Sequence, residues 1–222
     1  MIRNAESLGL CRPVIMYEAL EKLCEPTESL VLPMLSSTPG NSELTEDGSV
    51  ITINGGALCS SGGFIDRLSL TGMSGFHILD PGSGSGAECE ITFDHNGQES
   101  RVTVYGIRDE IVPSLTENGL RLDISGSACC KIISSELTEP YHAKETTERI
   151  CAKEIEKRVE ALLTKTLHGS GADVTGLSYR IRSYSPRLWS AIEKDYPGYL
   201  GKAEINTGFT VRMERFGIMH DS

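Results

Sequence analysis

The sequence predicts an α+β fold built from two domains, over residues 1–106 and 107–222, and three observations predict it. Two long segments alternate apolar and polar residues over Leu120–Ile132 and Ala203–Met213, the period of strands with one solvated face. Between them, residues 142–168 carry an apolar stripe at helical spacing: Cys151, Ile155, Val159, Leu162, Leu163 and Leu167. A third segment alternates through Cys89, Ile91 and Phe93, turns at Asn96-Gly97 and resumes at Val102 and Val104, which is a hairpin signature. One long amphipathic helix lying across a mainly antiparallel sheet follows for the second domain.

The remaining elements follow in order. Met16, Leu20 and Leu23 have helical spacing between Pro13 and Cys24, and Pro26 ends that run. Leu30-Val31-Leu32-Pro33 leads into a polar stretch, Ser36–Ser49, that reads as a loop. Val50–Cys59 reads as a strand interrupted by Gly55-Gly56, and Phe64–Leu68 as a second short strand after the turn at Ser60–Gly63. Ser69–Leu79 predicts a short helix with Leu70, Met73 and Phe76 or His77 on one side, weakened by Gly72 and Gly75. On the long helix, Glu145/Arg149 and Glu154/Arg158 stand at i,i+4 on the charged side, and Gly169 and Gly171 supply its stop.

Composition excludes several classes. The chain has 222 residues, 39% of them apolar, and a net charge of −10. Residues 1–108 hold 14 acids against 6 bases, and 109–222 hold 17 against 15. A chain so acidic lacks the basic stripe of a nucleic-acid binder, and no nucleic-acid partner is expected. No stretch has the roughly 20 apolar residues of a membrane span. Ile2–Glu6 is not followed by an apolar run, so no signal peptide is expected here. Cys11 follows bulky Leu10 and reads as an ordinary cysteine. The seven cysteines contain no C-x-x-C pair, and most are expected as buried free thiols. Cys129 and Cys130, adjacent on a strand, point to opposite faces.

No motif assembles a catalytic centre. Gly82–Gly86 follows a predicted helix and precedes a strand, the reverse of a dinucleotide-binding loop, and reads as a connector. Gly72-Met73-Ser74-Gly75 fails the nucleophile-elbow frame at Phe76. His77, His95, His142, His168 and His220 are dispersed, without paired-ligand spacing. Asp66 and Asp173 are isolated acids, for which capping or a local hydrogen bond suffices. No catalytic, cofactor-binding or metal residue is therefore assigned, no cofactor is expected, and the chain is read as a non-enzyme. Trp189, near Tyr184, Tyr196 and Tyr199, forms either a ligand cage or the seal at one end of the core, and the seal is the reading preferred. Arg180, Arg182 and Arg187 make a small basic patch, either a contact for anionic headgroups or an acidic partner, or a solvated face.

The order of features in the last fifty residues resembles the C subunit of bacterial spore germinant receptors, the Ger(x)C lipoprotein family. There a long helix leads to an Asp-x-x-Gly-apolar helix (Asp173–Leu177 here), a Pro-x-x-Trp segment (Pro186–Trp189) and a closing strand that stops at Arg-x-Gly (Arg215–Gly217). Leu32-Pro33, Gly55-Gly56-Ala57 and Asp66-Arg67-Leu68 resemble the family's middle domain. The resemblance implies that 1–106 is that middle domain with an N-terminal linker, that 107–222 is the C-terminal domain, and that the sequence is a fragment lacking the family's first domain. It implies a non-catalytic role in nutrient-triggered germination, through receptor assembly and signal transmission with integral-membrane A and B subunits. It further implies a lipoprotein on the outer face of the spore inner membrane, anchored by an N-terminal lipid absent from this fragment, the fragment itself being soluble. The alternative is an exported lipoprotein that binds a small ligand in a cleft between the two domains.

Overall fold

Strand β6 (Gly119–Ser135) follows its sequence alternation closely. Leu120, Leu122, Ile124, Ala128, Cys130 and Ile132 are buried, while Arg121, Asp123, Ser125, Ser127 and Lys131 stand wholly or partly in solvent. The computed structural model describes residues 14–39, 49–79, 87–95, 97–135 and 144–215. Cys11, Gly82–Gly86, His142 and His220 lie outside the described residues.

The hairpin forms where it was expected. β4 (Ala87–His95) and β5 (Gln98–Thr116) pair antiparallel, with Ile91 opposite Val102 and His95 opposite Gln98. Gly97 takes φ +80°, which a glycine tolerates, and its N–H donates to Asp94 Oδ1 at 3.0 Å. β5 continues well past the hairpin and pairs antiparallel with β6, shifting register between Tyr105 and Arg108, where Gly106 has φ +61°. Residues 106 and 107, where the sequence divides into two expected domains, both lie within this one strand.

β7 (Glu204–Arg215) completes a four-stranded sheet in the order β4-β5-β6-β7. It buries Phe209, Val211 and Met213 but runs parallel to β6, whereas the sequence reading had it antiparallel. Alternation reports which side chains are inside and carries no information on strand direction. The helical crossover between β6 and β7 returns the chain in the same sense.

That crossover begins with α3 (Lys144–Leu163), which passes into a π-helical turn, Thr164–His168. The whole stripe of Cys151, Ile155, Val159, Leu162, Leu163 and Leu167 is at most 1% exposed and shares one core cluster with Leu122, Ile124, Phe209 and Val211. Gly169 is still right-handed, and the stop comes at Gly171, φ +62°. The outer edge of β7 is met by α3 glutamates: Phe209 N–H donates to Glu156 Oε1 at 2.9 Å and Met213 N–H to Glu148 Oε1 at 2.8 Å. Three short helices follow: α4 (Leu177–Tyr184), α5 (Pro186–Ile192) and α6 (Tyr196–Gly201).

The first part of the chain contributes α1 (Met16–Cys24) and an antiparallel sheet of β1 (Leu30–Pro39), β2 (Ser49–Ser60) and β3 (Gly63–Leu68), in that order. The expected loop at Ser36 is strand as far as Pro39, because pairing with β2 satisfies its backbone. Ser36 and Thr52 hydroxyls meet across the pair at 3.0 Å. Pro33 is tolerated because β1 is an edge strand.

α2 (Leu70–Leu79) joins the two sheets. It is buried all round from Gly72 to Leu79, and Leu70, expected on its packed side, is 42% exposed. The burial on every side arises because β2 lies against one flank and α3 against another. A Cβ on Gly75 would overlap the Arg158 carbonyl and one on Gly56 the Met73 sulfur, so Gly75 permits close approach of α2 to α3 and Gly56 close approach of β2 to α2. The sheet is thus covered by α2 and α3 side by side, not by one helix alone. Cys89, Cys130 and Cys151 are buried thiols of this core, and Cys130 and Cys151 share a hydrogen bond. Cys24 is exposed, and Cys59 and Cys129 are half-buried.

Candidate functional site

An open groove of about 1090 Å³ lies between α1, the middle of β5 and α4. On α1, Glu18, Glu21 and Lys22 stand at i, i+3 and i+4, which places them on one helical face lining the groove, and Glu25 adds to the lining just past the helix end. From β5 come Asp109 and Glu110, followed by the apolar floor of Ile111, Val112 and Pro113. α4 supplies Tyr179, Arg180 and Tyr184 as the far wall.

Charge in the groove is partly neutralised from within. Arg180 Nη1 lies 3.9 Å from Asp109 Oδ2. Burial raises the Asp109 carboxyl above its usual range, and Arg180 opposes the shift. Glu28 is also raised, mainly by burial and next by the charge of Asp173. Glu25 is instead lowered, first by the Thr27 hydroxyl at 3.0 Å and then by Arg182, whose Nη2 is 3.3 Å away. Arg182 also stacks 5.0 Å over the Trp189 ring. Two arginines of the expected basic patch are therefore engaged in holding α1 and β5 against α4. Arg187 is exposed.

Behind the groove sits Asp173, 1% exposed. Its Oδ1 accepts from Thr175 N–H (3.1 Å) and Leu177 N–H (3.0 Å), and its Oδ2 from Ser178 N–H (2.6 Å) and Tyr196 O–H (2.9 Å). Its carbonyl accepts from Ser29 N–H at 2.7 Å, which pins the start of β1. This is the capping role expected from the sequence, extended to a hub. Burial pushes the Tyr196 hydroxyl far up, so it remains a donor. Tyr196 is 1% exposed and Trp189 packs beside it with ring centroids 5.2 Å apart, sealing the end of the core; Tyr184, 84% exposed, takes no part in that seal.

Asp66 lies on β3 and forms an ion pair with Lys165 of the π turn, which holds its carboxyl below the usual range. His77 is buried in α2, and His168 contacts the Ala203 carbonyl at 2.8 Å through Nε2. Among the described residues no group of three or more His, Cys, Asp or Glu is arranged to hold a metal ion. No helix among them is long and apolar enough to cross a membrane. The groove itself was missed from sequence: the acidic face of α1 was a readable signal, but its juxtaposition with Asp109-Glu110 depends on tertiary contacts.

Two sheets bridged by a buried helix, with a long helix laid along the larger sheet, define a class of mixed α+β protein. Residues 54–217 match the spore germination B3/GerAC-like, C-terminal family, and the chain belongs to that family. A solved structure, the crystal structure of the GerBC protein, superposes with a TM-score of 0.72 at 15% identity, covering 95% of this chain and 66% of that one. At that identity the likeness is one of fold. The chain thus spans 66% of the length of that protein. No curated protein matches it.

Proposed function

We propose that this chain is the non-catalytic portion of a spore germinant-receptor C subunit, acting in nutrient-triggered germination through receptor assembly and signal transmission. The observation that carries this reading is the family match across residues 54–217, supported by a shared fold over 95% of the chain. Its partners in this reading are integral-membrane A and B subunits, and the whole protein is held at the outer face of the spore inner membrane by an N-terminal lipid. A role through contact rather than turnover accords with how the buried polar groups are used. Asp173 has both carboxylate oxygens committed to capping α4 and to Tyr196, and Arg158 is committed to Ser74 and the Glu90 carbonyl.

The test is deletion of the gene followed by complementation in spores. Nutrient-triggered loss of optical density should be abolished and then restored, with sporulation unchanged. Full-length protein purified from spore membranes should bring two integral-membrane subunits with it. Spores that germinate normally without the gene, or a purification that brings no membrane protein, would overturn the reading.

A further inference from the structure

The groove beside α1 has a wall chemistry that points to a particular kind of partner. Six carboxylates line it against two cations, Lys22 and Arg180. Both cations are already engaged: Arg180 faces Asp109, and Lys22 lies over the Phe76 ring at 5.9 Å. Arg182, outside the lining, holds Glu25, which leaves acids such as Glu21, Glu28 and Glu110 to set the sign of the wall. Alongside the acids stand three large side chains open to solvent, with Val112 48% exposed, Tyr179 63% and Tyr184 84%. A wall of carboxylates repels phosphate, which disfavours nucleic acid and anionic headgroups. The volume, about 1090 Å³, lies at the upper limit for small-molecule pockets. A second copy of this chain is a poor occupant, since each copy carries a net charge of −10.

We propose that this groove docks a basic amphipathic helical segment of another protein, its lysines or arginines facing the acidic wall and its apolar residues seated on Val112, Tyr179 and Tyr184. An amphipathic helix laid in a groove reads out anchors at i, i+3, i+4 and i+7. Exposed tyrosines flanking an apolar floor are the side chains that dominate such contacts. Rim carboxylates would steer the approach and set its direction. The inference stands on the groove and not on the receptor reading, so each can fail without the other.

The test uses the full chain and a fluorescein-labelled Leu/Lys amphipathic peptide of about 18 residues, five helical turns, followed by fluorescence anisotropy. Binding is expected and should weaken about tenfold between about 50 and 300 mM salt. The Glu21→Lys/Glu110→Lys pair should weaken it about tenfold, and the Tyr179→Ser/Tyr184→Ser pair at least about fivefold. Glu145→Lys, on the exposed side of α3, should leave it unchanged. Circular dichroism melts check that each variant folds, and Glu21→Gln/Glu110→Gln serves where the double lysine variant does not. Equal loss with Glu145→Lys, or no loss with the tyrosine pair, would reduce the binding to general charge attraction and overturn the proposal. So would equal binding of a Leu/Glu peptide, displacement by spermidine at its own charge equivalence, or stronger attachment to phosphatidylglycerol vesicles.

Discussion

Asp173 accepts hydrogen bonds at both carboxylate oxygens while 1% exposed, so its removal strands several buried donors at once. Asp173→Ala should cost about 2–4 kcal/mol, combining a lost cap with an unpaired Tyr196 hydroxyl, read from urea unfolding. Arg158 is a second residue whose weight depends on surroundings. From sequence it reads as the exposed half of an i,i+4 pair with Glu154, for which reversal matters little. The pair exists at 3.3 Å, but the Arg158 side chain is only 15% exposed and also donates to Ser74 Oγ and the Glu90 carbonyl. Arg158→Ala should therefore cost about 1.5–3 kcal/mol, whereas Arg149→Ala, on an exposed site, should stay within about 0.5 kcal/mol. Glu28 gives a pH signature. Its folded pKa is raised, so the folded state binds that proton more tightly, and stability is lost as pH rises from the ordinary value of 4.5 through the folded one. Glu28→Gln should accordingly raise the melting temperature at pH 7, with the gain vanishing well below pH 4.5.

At the scale of elements, the packing of α2 on α3 is set by a missing side chain. Gly75 lies where any Cβ would meet the Arg158 carbonyl. Gly75→Ala should destabilise by about 1–3 kcal/mol or more despite its better helix propensity, whereas Gly208→Ala, with open space around its Cβ position, should be tolerated. Along the buried stripe of α3, truncating Ile155 or Leu162 to Ala should cost about 2–5 kcal/mol, because both are fully buried. Chemical denaturation of the four variants checks the set. These elements also show how far pattern reading reaches. The alternation of β6, the stripe of α3 and the Asn96-Gly97 hairpin were legible because a periodic pattern records a single buried face. The strand at Ser36–Pro39 was not, since what makes it a strand is backbone pairing with β2, which a polar sequence does not record. Nor was the direction of β7, which the crossover determines.

At the scale of the whole molecule, the groove joins residues far apart in sequence: Glu18 and Glu21 on α1, Asp109 and Glu110 on β5, and Tyr179 and Tyr184 on α4. Local patterns could mark each segment as acidic or aromatic, but not that they converge. Arg180 and Arg182 illustrate the same limit, since a basic patch on paper becomes two internal ion pairs once α1 and β5 are in place. Reversing Arg180 and Arg182 to Glu is thus expected to loosen α1 and lower the melting temperature, while the same change at exposed Arg187 leaves it nearly unaltered. Limited proteolysis around α1, compared between the variants, distinguishes the two.

The glutamates that α3 presents to β7 close that margin of the sheet to a further strand. With the Phe209 and Met213 amides already bonded to Glu156 and Glu148, a strand from another chain would have to evict a helix before adding at that side. The opposite margin, β4, is tied to the same helix by a different group, the Arg158 guanidinium donating to the Glu90 carbonyl at 3.0 Å. One helix thus fastens both outer strands of the sheet, like a clasp closed at two points, and unseating it would release the two together.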